Sequence, residues 1–294
     1  MSVLAVYNIK GGVGKTTLSV NLAYGLAYYK AKRVLLVDMD PQANATHFLL
    51  VDQVYRRDYL SDPPNKLTVV DLYNDFLISH RKFGWKEEKV SPKDKDKYLS
   101  RIYQGREGYL DLVASKLDLG LVALENSHSH GQVRWLLQHL AGQYDYVFID
   151  CPPTMSKMLW AGLDAAQSVF VPTRPDYLSV AGLPLLDRAI KQIYKVEMPR
   201  RPVWLPELQI LGLVFTMVDK RTTMAAESIS EVTAYAEKEG YRVFKSRVSD
   251  STRFTWGAKL KLPIFRSDPA SRYAKEIEAV VEEFYTTTTG REQP

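Results

Sequence analysis

Cysteine is almost missing from this 294-residue chain; Cys151 is the single one. A lone thiol rules out an internal disulfide, a cysteine-rich zinc module and a multi-thiolate cluster built within one chain. It fits a reducing compartment. Long apolar runs are missing too. None approaches the roughly 18 residues that would cross a bilayer, and the opening MSVLAVYNIKGG reaches glycine and lysine too early for a signal peptide. The expectation is a cytoplasmic protein without a membrane partner. Strong charge of one sign is also absent. The formal net charge of +5 is a mild lean towards polyanions that matters only where the excess clusters. What is present is an ordinary globular balance, 46% hydrophobic and 25% charged, enough for a sizeable core.

Short, nearly unbroken apolar runs read as strands covered on both faces: Val3–Tyr7, Val34–Val37, Tyr146–Ile149, Ser168–Val171 and Ile210–Phe215. Between them, Thr16–Tyr29 sets Leu18, Leu22 and Leu26 on one helical stripe, and Val133–Leu140 and Leu183–Tyr194 behave similarly. Alternation of strand and helix predicts an α/β fold: a doubly wound, mainly parallel sheet flanked by helices, with its ligand beyond the carboxyl ends of the strands. One domain over 1–285 is expected, with a flexible tail at 286–294. The stretch Asp52–Gly108 differs, being rich in charge, tyrosine and proline; Lys93, Lys95 and Lys97 alternate with Asp94 and Asp96. Within it, Leu67–Leu77 reads as a helix or strand–helix element, and about 79–108 as a charged surface insertion, either solvated or used to dock a partner.

Lys10-Gly11-Gly12-Val13-Gly14-Lys15-Thr16-Thr17 follows the first strand and opens the first helix, the context a phosphate-binding loop requires. Glycines let successive backbone N–H groups curl round phosphate oxygens. Lys15 adds a point charge near the β- and γ-phosphates, the Thr16 hydroxyl can ligate Mg²⁺, and the helix N-terminus contributes its partial positive charge. Two apolar runs then end in carboxylates. Val34–Val37 leads into Asp38-Met39-Asp40-Pro41-Gln42, and Tyr146–Ile149 into Asp150-Cys151-Pro152-Pro153. Asp150 is expected to hold a metal-bound water at a strand end, and the two prolines turn the chain away. Cys151, one residue on, reads as a buried small residue.

The loop departs from the common pattern. Ile9 stands where a glycine is expected, five residues before Gly14, and Lys10 precedes the glycine pair. In this the stretch resembles the deviant Walker A motif, KGGVGKT, of the ParA/MinD family of ATPases. Residues 38–42 resemble that family's DxDPQ, and 150–153 its Asp-x-Pro-Pro. The resemblance continues through Val171-Pro172 to Gly182-Leu183, through GLVFTMVDKR at Gly212–Arg221, and through Val243–Phe265. The Asp52–Gly108 stretch is longer than the family's, and the closing region lacks its common IPRNVxLSEA wording, which leaves base contacts there unassigned.

The resemblance implies a protein that binds and hydrolyses ATP with Mg²⁺, closest to the shorter ParA (Soj-like) partition proteins without an N-terminal helix-turn-helix. It implies a homodimer when ATP is bound, with Lys10 reaching the partner's nucleotide much as an arginine finger acts in trans. By residue match, Lys10, Lys15 and Asp40 are catalytic, Asp40 orienting the attacking water. Gly11 to Thr17, Asp38, Pro41, Met217 and Asp219 contact the nucleotide, Asp38 supporting the loop lysine and the metal shell. Thr16 and Asp40 hold Mg²⁺, with Asp150 acting through water. It further implies non-specific DNA binding through basic residues, here Lys220, Arg221, Arg247, Arg253, Lys259 and Lys261, a nucleoid location, and a ParB-like or cargo-adaptor partner. Neutralised phosphates supply most of such affinity, so a dimer that doubles the basic surface grips far better than one subunit.

Three rivals are weighed against this reading. A MinD-like membrane protein needs a basic amphipathic C-terminal helix, whereas Lys275–Phe284 carries Glu276, Glu278, Glu282 and Glu283. An iron–sulfur relative of the nitrogenase iron protein needs more thiolates than one per chain. A metabolic P-loop ligase or synthetase shares the local motifs; against it stand Lys10 and the downstream matches.

Overall fold

The computed structural model describes residues 1–83, 94–122, 130–197, 207–219 and 223–290. Eight strands form one sheet in the order β3-β4-β2-β5-β1-β6-β7-β8. They span Ser2–Val6 (β1), Arg33–Asp38 (β2), Ser100–Gln104 (β3), Tyr109–Val113 (β4), Tyr146–Asp150 (β5), Ser168–Thr173 (β6), Gln209–Val218 (β7) and Val243–Ser249 (β8). All neighbours run parallel except β3, which is antiparallel to β4.

Strand alternation sorts the side chains into two cores. Val3, Ala5, Leu35, Val37, Val147 and Ile149 face one layer. It contains α4 (Val69–Phe83), α6 (Gln132–His139), α7 (Lys157–Ala165), α8 (Tyr177–Glu197) and α9 (Thr223–Lys238). Leu4, Val6, Leu36 and Phe148 face the other. That layer holds α1 (Lys15–Tyr29), α2 (Asn44–Leu49), α3 (Asp52–Tyr59), α11 (Ile264–Ser267) and α12 (Arg272–Thr289). Two further helices, α5 (Leu119–Val122) and α10 (Thr252–Leu260), follow β4 and β8. Asp38 and Asp150 share the parity of Leu36 and Phe148 and are register partners across β2 and β5. Both carboxylates therefore end on the α1 side.

Three strands lay beyond the apolar-run criterion. In β3, SRIYQ carries no apolar run, and the strand is held by charge: Asp111 of β4, 4% exposed, accepts Arg101 Nε at 2.5 Å and Tyr144 Oη at 2.7 Å. The Arg101 guanidinium also lies over the Tyr109 ring, 4.0 Å from its centroid. Thus the end of the stretch 79–108 belongs to the sheet, and Ser79 to Phe83 complete α4; residues 84–93 lie outside the described residues.

The C-terminal helix corrects a second expectation. Residues 286–289 are not a frayed tail, because α12 runs to Thr289. Threonine is a poor helix former, but Thr288 Oγ1 accepts from or donates to Tyr146 Oη at 2.9 Å and bonds back to Phe284 O at 3.0 Å. The acidic face of α12 also has a structural use. Glu283 accepts the N–H groups of Lys245 and Ser246, and Glu276 that of Ser249, so carboxylates occupy the free edge of β8, which would otherwise be open to strand pairing. Phe284, fully buried, packs 5.5 Å from both Phe148 and Phe170. Phe284→Ala is expected to cost about 3–5 kcal/mol, read as a lowered urea midpoint; a change under about 0.5 kcal/mol would show that α12 does not close the core.

Candidate functional site

The loop between β1 and α1 is fixed from behind and open in front. Asn8 Nδ2 donates to Pro172 O at 2.8 Å, and its Oδ1 accepts the Lys10 N–H at 3.0 Å. From β7, Thr216 Oγ1 donates to Val13 O at 2.6 Å. Gly12 and Gly14 have φ of 71° and 79°, where a side chain would be strained. A Cβ on Gly11 or Gly12 would meet nothing within 4 Å. Helix α1 starts with no side-chain cap and no acidic residue in its first turn, so its first N–H groups and its positive dipole end face the open side.

Lys15 is buried, and its Nζ donates to Asn8 O at 3.1 Å and Lys10 O at 3.0 Å. Burial lowers its pKa, opposed by the charges of Asp150 and Asp40. Thr16 Oγ1 donates to Asp150 Oδ2 at 2.7 Å and Ser19 Oγ to Asp150 Oδ1 at 2.9 Å. Burial pushes the Asp150 carboxyl up despite these two hydroxyls. The thiol of Cys151 is buried and pushed far up by desolvation, so it is unreactive packing.

Asp38 and Asp40 take different places. Asp40 lies on the wall of the cleft, its Oδ1 accepting the Gln42 N–H at 2.9 Å. Asp38 is fully buried behind it and does not hold the loop lysine. Its partners are Thr46 N and Thr46 Oγ1, both at 2.8 Å, and Asp40 N at 3.2 Å. The start of α2 folds under the strand end and brings Thr46 there, so Asp38 organises the turn that carries Asp40. Ser115 completes that frame: its N–H donates to Thr46 Oγ1 and its Oγ to Asp40 O, each at 2.8 Å.

A cleft of about 770 Å³ opens over the loop. Gly11, Gly12, Gly14, Lys15, Thr16 and Thr17 line it, with Pro41 and Met217, whose φ is 52°. Asp219, two residues on, is outside the cleft wall. The far wall was not assigned from sequence: Val248 to Thr252, Phe254, Thr255 and Ala258 come from the end of β8 and from α10. The signal available there was the run Ser249-Asp250-Ser251-Thr252, in which Ser251 caps α10 by accepting the Arg253 N–H at 3.1 Å.

Lys10 does not line this cleft. Its Nζ lies 2.6 Å from both carboxylate oxygens of Asp176, at the start of α8. Of the basic residues, Lys220 and Arg221 lie outside the described residues. Arg253 pairs with Asp268 at 2.8 Å and Lys261 with Asp52 at 3.2 Å. Arg247, exposed on β8, stacks over Phe215, and Lys259, exposed on α10, over Trp256. Among the described residues no group of three or more His, Cys, Asp or Glu could hold a metal ion alone. A hydroxyl backed by a buried carboxylate, beside an anion cradle, is the donor set of a Mg²⁺ that arrives with phosphate oxygens.

A parallel sheet with a glycine loop, its lysine and a threonine–aspartate pair between β1 and β5 defines a P-loop nucleotide-binding domain. The chain belongs to the AAA domain family (AAA_31), whose sequence profile matches residues 1–200, and to its ParA/Soj members. The sporulation initiation inhibitor protein Soj of Bacillus subtilis is 30% identical over 276 residues, 93% of this chain and 94% of Soj. The chromosome partitioning protein ParA of Myxococcus xanthus is 31% identical over 245 residues, 83% of this chain and 75% of that protein. Among solved structures, cobyrinic acid a,c-diamide synthase from Mycobacterium smegmatis with bound ADP and magnesium aligns at a TM-score of 0.69 and 26% identity, covering 100% of this chain and 98% of that one.

The buried pair predicts a pH dependence. Burial, then the Asp150 charge, raises the Asp38 carboxyl above its unfolded value. A raised carboxyl binds more protons in the folded state, so its stabilising share is present at low pH and lost as pH rises through the folded value. Asp38→Asn cannot titrate. Its urea midpoint should fall less than that of the wild type between about pH 5 and about pH 9; parallel falls would place the titrating group elsewhere.

Proposed function

We propose that the chain is a ParA-type partition or positioning ATPase. Its ATP-bound form is a homodimer that binds DNA without sequence preference. A ParB-like or other cargo-adaptor protein stimulates hydrolysis and so releases it. The observation that carries this reading is the open glycine cradle at the uncapped start of α1, with Lys15 and the Thr16–Asp150 pair on one side and Asp40 on the other.

The residues divide the work as follows. N–H groups of residues 11–17 and Lys15 bind the β- and γ-phosphates. Thr16, held by Asp150, would ligate Mg²⁺, with Asp150 supporting the ion through a water. When bound with the triphosphate, the ion supplies neutralisation of charge at the phosphoryl oxygens. Asp40 orients the attacking water, on a turn that Asp38, Thr46 and Ser115 keep rigid; positioning of this kind supplies most of the catalysis in phosphoryl transfer. Pro41, Met217 and the wall from Val248 to Ala258 enclose the nucleoside end. Lys10 completes the site of the opposite subunit. Of the basic residues, Arg247 and Lys259 are exposed, lie over the rings of Phe215 and Trp256 and suit phosphate neutralisation best. No helix of the described residues is long and apolar enough to cross a membrane.

A ligase reading draws support from the Mycobacterium smegmatis synthase structure. Turnover separates the two: DNA and an adaptor should raise a partition ATPase, and a carboxylic acid acceptor with an amine donor should raise a ligase. For the partition cycle, Asp40→Ala should stay on DNA in ATP after the wild type has dissociated. Lys10→Ala should be retained no better in ATP than in ADP. Wild-type dissociation kinetics in both variants would refute these roles.

A further inference from the structure

Lys10 and Asp176 stand 166 positions apart in sequence, yet the ammonium lies 2.6 Å from both carboxylate oxygens. The contact is built from both sides. Asn8 fixes the Lys10 backbone and ties it to Pro172, four residues before Asp176. The Asp176 carboxylate is itself held, accepting the Ser179 N–H at 2.9 Å as an N-cap of α8. Burial disfavours its charge, but the Lys10 ammonium and the Ser179 N–H hold the carboxyl below the ordinary range. Among the described residues, Arg174 Nε, at 3.7 Å, is the only other cation within 4 Å of it. Lys10 also lines a small pocket of about 130 Å³ with Ile9, Leu178, Leu183 and Leu186 and with the polar Asn8, Thr173 and Ser179. The pair is neither deeply buried nor fully solvated, with side chains 26% and 28% exposed.

We propose that Asp176 is a positioning residue that holds the Lys10 ammonium within its own subunit, so that subunit assembly requires the lysine to exchange this carboxylate for a phosphate across the interface. The inference rests on the partition reading above and adds its threshold. Lys15 and Thr16 bind nucleotide without Lys10, so loading and assembly become separate steps. Only a full triphosphate partner competes well for a lysine already paired with a carboxylate. A partly exposed ion pair of this kind opposes exchange weakly. That suits a switch that must still close, and because a symmetric dimer breaks two pairs, a roughly threefold effect each compounds to about tenfold.

Asn caps a helix as well as Asp does, so Asp176→Asn removes the charge while keeping α8 in place. Its dimer dissociation constant, measured by analytical ultracentrifugation with a non-hydrolysable ATP analogue and Mg²⁺, should fall about tenfold below the wild-type value. The affinity of the monomer for the analogue should not change. In a Lys10→Ala background, Asp176→Asn should restore no assembly. An unchanged or weaker dimer in Asp176→Asn overturns the proposal, as does rescue in the Lys10→Ala background. A wild-type chain that never assembles refutes the partition reading instead, so the two failures are distinguishable.

Discussion

Thr16 and Ser19, one turn apart on α1, both donate to the carboxylate of Asp150 at the end of β5. The bond pair pins the first turn of the helix to the centre of the sheet, and the loop before it has no freedom left once Asn8 and Thr216 hold its other end. Most other features of the site presuppose that anchor. The cradle glycines face open space because α1 cannot slide, Lys15 is buried because the loop closes over it, and Asp38 sits beside a second acid because β2 is the register neighbour of β5. A buried carboxylate is costly unless hydrogen-bonded, and here each of the two receives two or more donors.

The two aspartates after β2 show how a short motif is split by geometry. Asp40 reaches the cleft; Asp38 turns back to bind the amide of Asp40 and both donors of Thr46. Ser115, from the end of β4, closes the frame. The turn therefore depends on a strand far from the phosphate loop, and β4 is itself held at the sheet margin by the Arg101–Asp111–Tyr144 contacts.

Much of the cradle could be read in advance because its chemistry dictates residue types over eight consecutive positions. The same is true of the five apolar runs, four of which fall inside β2, β5, β6 and β7 while Val3–Tyr7 overruns the end of β1 by one residue. What escaped was assembled from distant pieces. β3 and β8 have mixed sequences because one is an edge held by an arginine–aspartate contact and the other an edge covered by glutamates of α12. The far wall of the cleft comes from residues between 248 and 258, which reach it only once the chain has returned to the α1 face. The four threonines at 286–289 look like a frayed end by propensity and are kept helical by hydroxyl bonds to Tyr146 and to the preceding turn. The Lys10–Asp176 contact is of the same kind: nothing local to either residue announces it.

Lys10 belongs to the phosphate loop, yet its ammonium is paired outside the cleft, with Asp176. The most direct measurement is the mass of the wild-type protein by sedimentation equilibrium in Mg²⁺ with ADP and with a non-hydrolysable ATP analogue. An ATP-switched homodimer gives one subunit in ADP and two in the analogue. A single subunit in both would contradict it.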